Sequence, residues 1–548
     1  MRKISGELVR WVISSDYDKI PEKVVNITKL QVLGLFGSVF ASLKVNEGKK
    51  FLEAALNFSS GGDFPVPGSN KKVSFGDALY IYSTLSMVLD YDDYLFMGHT
   101  GHSAVWVSLL TSILNNRSSK DFINGVIIGN EAGGRVGGSV LLGNQNGQMW
   151  SYLHGINSVL IYGKLSDMSF ETILGGLGNY LYQPHFPLYP GFMGAESKIF
   201  TASEPISSGL KALKYSSAGI GGFDEIMEHE NGFLNNLSYY PFDFMFTGFG
   251  TSWLTKTLAV KKYPGCAYID TTIDSLLKII KDAEDEKLEI VADNIEEIVV
   301  NANLLTVEMD NMAQDYFKPN NLSPININFN LRLNIAVAII AKALKPEYLT
   351  KSFLAEHKTD IFKIASKVKI NHDIAKSFDL LYTVSQSMDW EKLIESIDKI
   401  KLKEAIELLQ KQRVSSNIDI NLKTLFSLRS QVRGDKRKFL QKMLLNRITN
   451  IISKNKEQTF SLNDIDFDKF QMPFGVDLSL TLKTGENFNN RVNIPDGVSY
   501  DDNFKEIVVN KFMSESKQFI SEKKAVKFVE MVENMENYSP IELLSVLF

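Results

Sequence analysis

Apolar residues near the start of the chain recur at helical intervals. Val24, Ile27 and Leu30 follow Pro21 and Glu22, and Pro is tolerated at a first helical turn, where its missing N–H matters least. The same spacing predicts helices over Phe75–Val88, Ala104–Leu114 and Phe170–Tyr180, separated by Gly, Asn and Ser clusters that suit tight connections. From about Asp274 to Leu409 the composition shifts towards Lys, Glu, Ile and Asn, which marks a boundary. Around Leu288–Val300 apolar and polar residues approach alternation, with β-branched enrichment, so a strand is expected near Ile295–Leu304. Two more are expected at Lys367–Ile370 and at Val476–Lys483, the latter running into a turn at Thr484–Gly485. Between them, Ala375–Leu462 returns to Leu and Ile at helical intervals among Lys and Glu, and reads as a helical insertion. The tail Asn503–Leu547 is helical again and is expected to rejoin the first region. The fold class is mainly α with a second α+β domain.

Composition narrows the chemistry. Over 548 residues, 59 Lys and Arg face 64 Asp and Glu, a formal charge of −5, which gives no electrostatic reason to expect nucleic acid. One cysteine, Cys266, excludes an intrachain disulfide, a four-cysteine zinc site and an all-cysteine iron–sulfur cluster, and suggests a reducing compartment. The N-terminus interrupts its apolar residues with charge. The richest later run, Leu33–Leu43, contains Gly and Ser and falls short of the ~20 apolar residues of a membrane span, so neither a signal peptide nor a span is expected.

The densest constellation is LDYDDYLFMGHTGHSAV, Leu89–Val105, with three carboxylates and two of the seven histidines within thirteen residues. If a helix ends near Tyr94, Asp90 and Tyr94 share a face, while Gly98 and Gly101 free the backbone to turn His99 and His102 back towards them. Thr100 and Ser103 are candidate caps for the next helix. A carboxylate beside an imidazole supplies a general acid/base whose pKa each partner tunes, and the competing reading is an Asp-rich helix end on a solvated face. In the glycine-rich stretch Gly129–Gly155 no phosphate-binding spacing occurs. Glu131 and Arg135 read there as a helical ion pair, with glycines for close packing. Gln148 and His154 are polar candidates, His154 also fitting a packed, hydrogen-bonded core residue. Lys198 and Lys261–Lys262 lie in stretches with few other charges, where an ammonium can hold an anion or simply reach the surface. No H-E-x-x-H metal pattern appears.

Taken in order, YDKIPEKVVNITKLQVLGLFGSVFASL, LDYDDY…GHTGHSAV, GNEAGGRVGG, ESKIFTASEPISSGLKA, GGFDEIMEHENGFL, KKYPGCAYIDTTID and NFNLRLNIAVAIIAKAL, then VDLSLTLKTGENFNNRVNIPDG and NFKEIVVNKF, resemble the MmgE/PrpD family, which includes 2-methylcitrate dehydratase, cis-aconitate decarboxylase and iminodisuccinate epimerase. The resemblance implies a large all-α domain built from both chain ends (1–275 and 500–548) and an α+β lid domain (276–499) carrying the insertion at about 375–462. It also implies a homodimer. The family's motif Asp falls on Asp90, its usual Thr on Tyr94, its His on His99 with His102 as the alternative, and its lysines on Lys198 and Lys261. Three departures stand out. A motif His aligns with Gln148, with His154 six residues on; a lid-domain Tyr falls on Leu333; and the insertion is absent from many relatives.

The resemblance further implies a cytoplasmic, cofactor-independent, metal-independent lyase acting on a small polycarboxylate by proton transfer at the carbon next to a carboxylate. The preferred reaction is 2-methylcitrate dehydration, with decarboxylation or epimerisation of a related acid behind it. Lys198 and Lys261 are expected to bind substrate carboxylates and His99, tuned by Asp90, to move the proton. Tyr94, His102 and Gln148 line the substrate, and His154 is a reserve acid. Two rivals are a non-catalytic ligand-binding relative and nucleic-acid binding through Arg429, Arg433, Lys436, Arg437, Lys438, Lys442 and Arg447, a run with few interleaved aromatics that fits a solvated basic helix better.

Overall fold

The computed structural model describes residues 3–145, 147–317, 319, 322–412, 428–449 and 459–548. At its centre is the helix Glu22–Ser42, in which every residue from Gln31 to Ser42 is buried, as an all-round apolar pattern requires. This helix is 21 residues long and by length and composition could cross a membrane, against the expectation from its Gly and Ser content. In the fold, 89% of its most apolar stretch is buried inside the protein. The C-terminal helix Phe504–Ser516 packs along it. A side chain at Gly37 would meet the Phe512 backbone, and the Phe40 and Phe512 rings lie 6.2 Å apart.

Around this pair pack the helices Phe75–Met87, Gly101–Leu114, Ser119–Ser139, Tyr152–Leu165, Phe170–Leu181 and Ser203–Ser217. Their starts follow local capping chemistry. Ser74 accepts from the Asp77 N–H, Ser118 and Asp121 form a reciprocal box, and Ser169 accepts from the Thr172 N–H. Along Ser119–Ser139 the glycines at 125, 129, 133 and 137 fall four apart on one face. A methyl group at Gly129 would sit 2.7 Å from the Ala104 Cβ, and one at Gly137 would sit 2.2 Å from the Met97 carbonyl oxygen. This face lets the Leu95–Gly101 turn and the helix after it seat deep in the bundle, which buries His102 fully and leaves His99 partly exposed.

The α+β part is a four-stranded sheet with spatial order Val368–His372, Ile295–Ala302, Val476–Leu482, Asn487–Val492. The first pair is parallel, with Ile298 opposite Val368; the others are antiparallel, with Ile298 also opposite Leu480. Val476–Leu482 alternates buried and half-buried positions, as its sequence predicts, and Gly485 at φ +103° makes the turn into the last strand. The helix Asp270–Asp285 joins this sheet to the bundle, its Ser275 hydroxyl donating to the Asn490 carbonyl. Leu333 is buried in the helix Leu331–Ala341.

The described part of the insertion is helical: Ile374–Ser385, Trp390–Ser396, Lys399–Gln412 and Gly434–Thr449. Residues 413–427 and 450–458 of that expectation, and the Arg447 side chain, lie outside the described residues. Three members of the basic run are matched to carboxylates: Lys436 to Asp379 at 2.6 Å, Lys438 to Asp435 at 2.8 Å, and Lys442 to Glu391.

Candidate active site

The local chain path differs from the helical reading of the Asp90 segment. The helix Phe75–Met87 stops before the motif, and Asp90 adopts φ +53°, a left-handed conformation that a non-glycine residue takes at a cost of about 1 kcal/mol or more. Asp93–Tyr94 then pairs antiparallel with Ala259–Val260, Asp93 opposite Val260. The backbone of Leu95 and Gly98 closes a reciprocal pair, with Gly98 at φ +152°, and the chain enters the helix Gly101–Leu114. Asp90 and Tyr94 therefore do not share a helical face. Thr100 and Ser103 do not cap either. The Thr100 hydroxyl donates to Asn130 at 2.6 Å, and the Ser103 hydroxyl lies 2.9 Å from His154 Nδ1.

The strand pairing puts Lys261 beside the acidic turn. Its backbone N–H donates to the Asp92 carbonyl at 3.1 Å, and its Nζ lies 2.6 Å from Asp92 Oδ1 and 3.1 Å from Asp90 Oδ1, while donating to the Asp90 carbonyl at 2.7 Å. The other Asp92 oxygen, Oδ2, meets His99 Nδ1 at 2.8 Å and His102 Nε2 at 2.9 Å. One fully buried carboxylate thus faces one ammonium and two imidazoles. Burial pushes the Asp92 carboxyl up, but the Lys261 ammonium and the His99 and His102 contacts outweigh it and hold the group well below the usual carboxylate range. Since an ionised carboxylate only accepts, both imidazoles turn an N–H towards it. Burial lowers His102, against the pull of Asp92, and so keeps its imidazole neutral; its Nδ1 then accepts from the Ser86 hydroxyl 2.8 Å away. His99 is the accessible member, with 15% of its side chain exposed against none of His102.

Lys198 reaches the same cluster from the other side, Nζ 3.3 Å from Asp90 Oδ1, with its ammonium 4.5 Å from the Phe329 ring centre. Asp90 Oδ1 is therefore shared by two ammonium groups, and Gln148 Nε2 donates to it as well as to Asp92 Oδ2 at 3.3 Å. Burial lowers Lys198, Asp90 opposing it; Lys261 is also penalised by burial, but its two carboxylates prevail and raise it. The lysines expected to hold substrate carboxylates are here held by protein carboxylates. Lys198 is the more loosely held of the two, since its Nζ makes no hydrogen bond, and the Gln148 Oε1 is likewise buried and unbonded.

His154 is buried behind His102, with ring centres 5.9 Å apart, and burial holds it well below the ordinary imidazole value. Tyr94 joins a small apolar cluster with Ala259, Ala267, Phe474 and Val498, its ring centre 6.1 Å from that of His99. All eight candidate side chains thus meet at one place in the core, but the partner of His99 is Asp92, not Asp90. Sequence reasoning counted Asp92 in the acidic cluster without giving it a role. Its signal was the D-x-D-D spacing, which in an extended turn alternates sides. Among the described residues, no group of three or more His, Cys, Asp or Glu side chains is arranged to hold a metal ion.

With that geometry in place, comparison with known proteins is informative. Residues 6–245 match the model of the MmgE/PrpD N-terminal domain. The match covers a little under half of the chain, which is similar to that domain there. Seven of the expected site residues, from Asp90 to Lys198, lie within it, and Lys261 lies just beyond. A curated cis-aconitate decarboxylase of Aspergillus terreus (strain NIH 2624 / FGSC A1156) is 24% identical over 298 residues, covering 50% of this chain and 60% of the relative. A second cis-aconitate decarboxylase from Aspergillus terreus is 23% identical over 295 residues, covering 50% and 59%. The match spans about three-fifths of the length of these relatives.

Proposed function

We propose that the MmgE/PrpD domain and its partners form a lyase that transfers a proton at the carbon next to a carboxylate of a small polycarboxylic acid. One observation carries the reading: Asp92 accepts from both His99 and His102 while Lys261 holds its other oxygen. With Nδ1–H of His99 committed to Asp92, Nε2 keeps its lone pair on the far side of the ring, the arrangement of a general base steadied by a carboxylate. The Lys198 ammonium is the group free to turn towards a substrate carboxylate and to stabilise the enediolate-like charge as the C–H bond breaks.

Dehydration of a 2-methylcitrate-like acid is the first reading. His99 takes the proton, the electron pair forms the new double bond, and the hydroxyl leaves with a proton from a nearby acid. Decarboxylation is the second, favoured by the names of the two relatives; the C–C bond to a carboxylate breaks, carbon dioxide departs, and the carbon that keeps the pair takes a proton from His99. A homodimer in the cytoplasm belongs to the same proposal. Incubating the purified protein with 2-methylcitrate, citrate and cis-aconitate, and following alkene absorbance and carbon dioxide, tests it. Alkene formed without carbon dioxide supports the first reading and carbon dioxide release the second; silence on all three acids overturns both.

A further inference from the structure

The peptide between the two acidic residues of the site is held by a side chain from the opposite end of the chain. Lys511, in the helix Phe504–Ser516, donates from Nζ to the Tyr91 carbonyl at 2.6 Å, and the same ammonium sits 3.8 Å from the centre of the Tyr91 ring. The Ser38 hydroxyl donates to that carbonyl too, and the Tyr91 hydroxyl donates to the Lys262 carbonyl at 3.1 Å. The neighbouring carbonyls of Asp90 and Asp92 are taken by Lys261 Nζ and Lys261 N–H. Three successive carbonyls of a left-handed turn are thus each fixed by a residue far away in sequence.

A buried ammonium is costly unless its surroundings repay it, and the chain makes room for this one. Gly37 leaves space where a Cβ would stand 3.3 Å from Lys511 Cγ, and one turn on, Glu515 pairs with Lys44 at 2.8 Å and anchors the helix. Burial pushes the Lys511 amine down to about 7, with Asp92, Glu515 and Asp93 opposing. Either protonation state still carries an N–H for the Tyr91 carbonyl, so the contact survives across neutral pH.

We infer that Lys511 is a positioning residue: by clamping the Tyr91 peptide it sets the direction in which Asp90 and Asp92 present their carboxylates to the lysines and to His99 and His102. This deepens the acid–base reading of the site and rests on it. The test compares the full-length protein with Lys511→Met and Lys511→Arg by kinetics and by nitrogen NMR of labelled histidine side chains. A misplacement of about 1 Å at a reacting group costs up to about 10²-fold, so Lys511→Met should lose about 10- to 10²-fold in kcat with KM changed less than about threefold, and its His99 and His102 resonances should move. Lys511→Arg keeps a cation for the site but places a planar fork where a compact ammonium stood. It should fold, lose at least about threefold in kcat and shift the same resonances. Wild-type resonances and kcat in either folded variant overturn the inference. If the wild-type protein turns over none of the tested acids, the functional reading falls, while the imidazole resonances still decide whether Lys511 positions the turn.

Discussion

Two buried charge clusters lie in the same helical core and are built in opposite ways. Glu131 pairs with Arg135 one turn along its own helix, and both its oxygens are fully occupied. Oε2 takes Arg135 and the Leu254 N–H at 3.0 Å; Oε1 takes the Thr255 N–H at 2.8 Å and its hydroxyl at 2.7 Å. The Asp90–Asp92 cluster holds two ammonium groups and two imidazoles and lets His99 reach outwards, whereas Arg135 and Glu131 are wholly buried; each cluster leaves buried polar atoms unbonded, Lys198 Nζ and Gln148 Oε1 in one and Arg135 Nε in the other. A closed cluster fastens a helix to the Leu254–Thr255 turn. The open one meets the outside at His99.

That contrast can be broken most sharply at Glu131. Glu131→Gln leaves Arg135 buried without its partner and should cost about 3–5 kcal/mol of stability, read as a shift in the denaturation midpoint, while the folded fraction keeps its KM and kcat. A collapse of turnover at unchanged stability would erase the distinction between the clusters. Lys198→Met should do the reverse: kcat falls by about 10²–10³ while thermal stability holds or rises, because a weakly paired buried cation is removed. A third buried carboxylate sharpens the picture. Asp270 accepts the Lys262 N–H at 3.2 Å with one oxygen, and burial, then the Asp274 charge, push it up to about 8. Its folded value lies above the unfolded one, so the folded state binds more protons and stability falls as pH rises from about 4 to 8. Asp270→Asn should remove that fall and melt about 3 °C higher than wild type at pH 8.5, with the gain vanishing below pH 4; an equal gain at both ends would contradict the assignment.

Much of this was legible in the chain because it depends on local periodicity. The helices Phe75–Met87 and Phe170–Leu181 follow from apolar spacing, and the strands at Ile295 and Val476 follow from alternation. The Glu131–Arg135 pair follows from i,i+4 spacing on one helix. The Asp90 turn was not legible for the matching reason: a left-handed residue usually announces itself as glycine, and an aspartate there reads as one more helical position. Nor does local spacing tell that Lys261 lies beside Asp92, since that depends on two-residue strands pairing across most of the domain, or that Lys511 returns from the far end. The resemblance named eight side chains that the fold brings together, but paired His99 with Asp90 where the contact is to Asp92.

The central claim is that Asp92 orients His99 as the group that moves the proton. Deuterium incorporation from heavy water at the carbon next to the substrate carboxylate, with whichever of the tested acids is turned over, reads that step directly in wild type and in Asp92→Asn. The account predicts exchange slowed by about 10²–10⁴-fold in a variant that remains folded. Exchange at the wild-type rate in folded Asp92→Asn would contradict it.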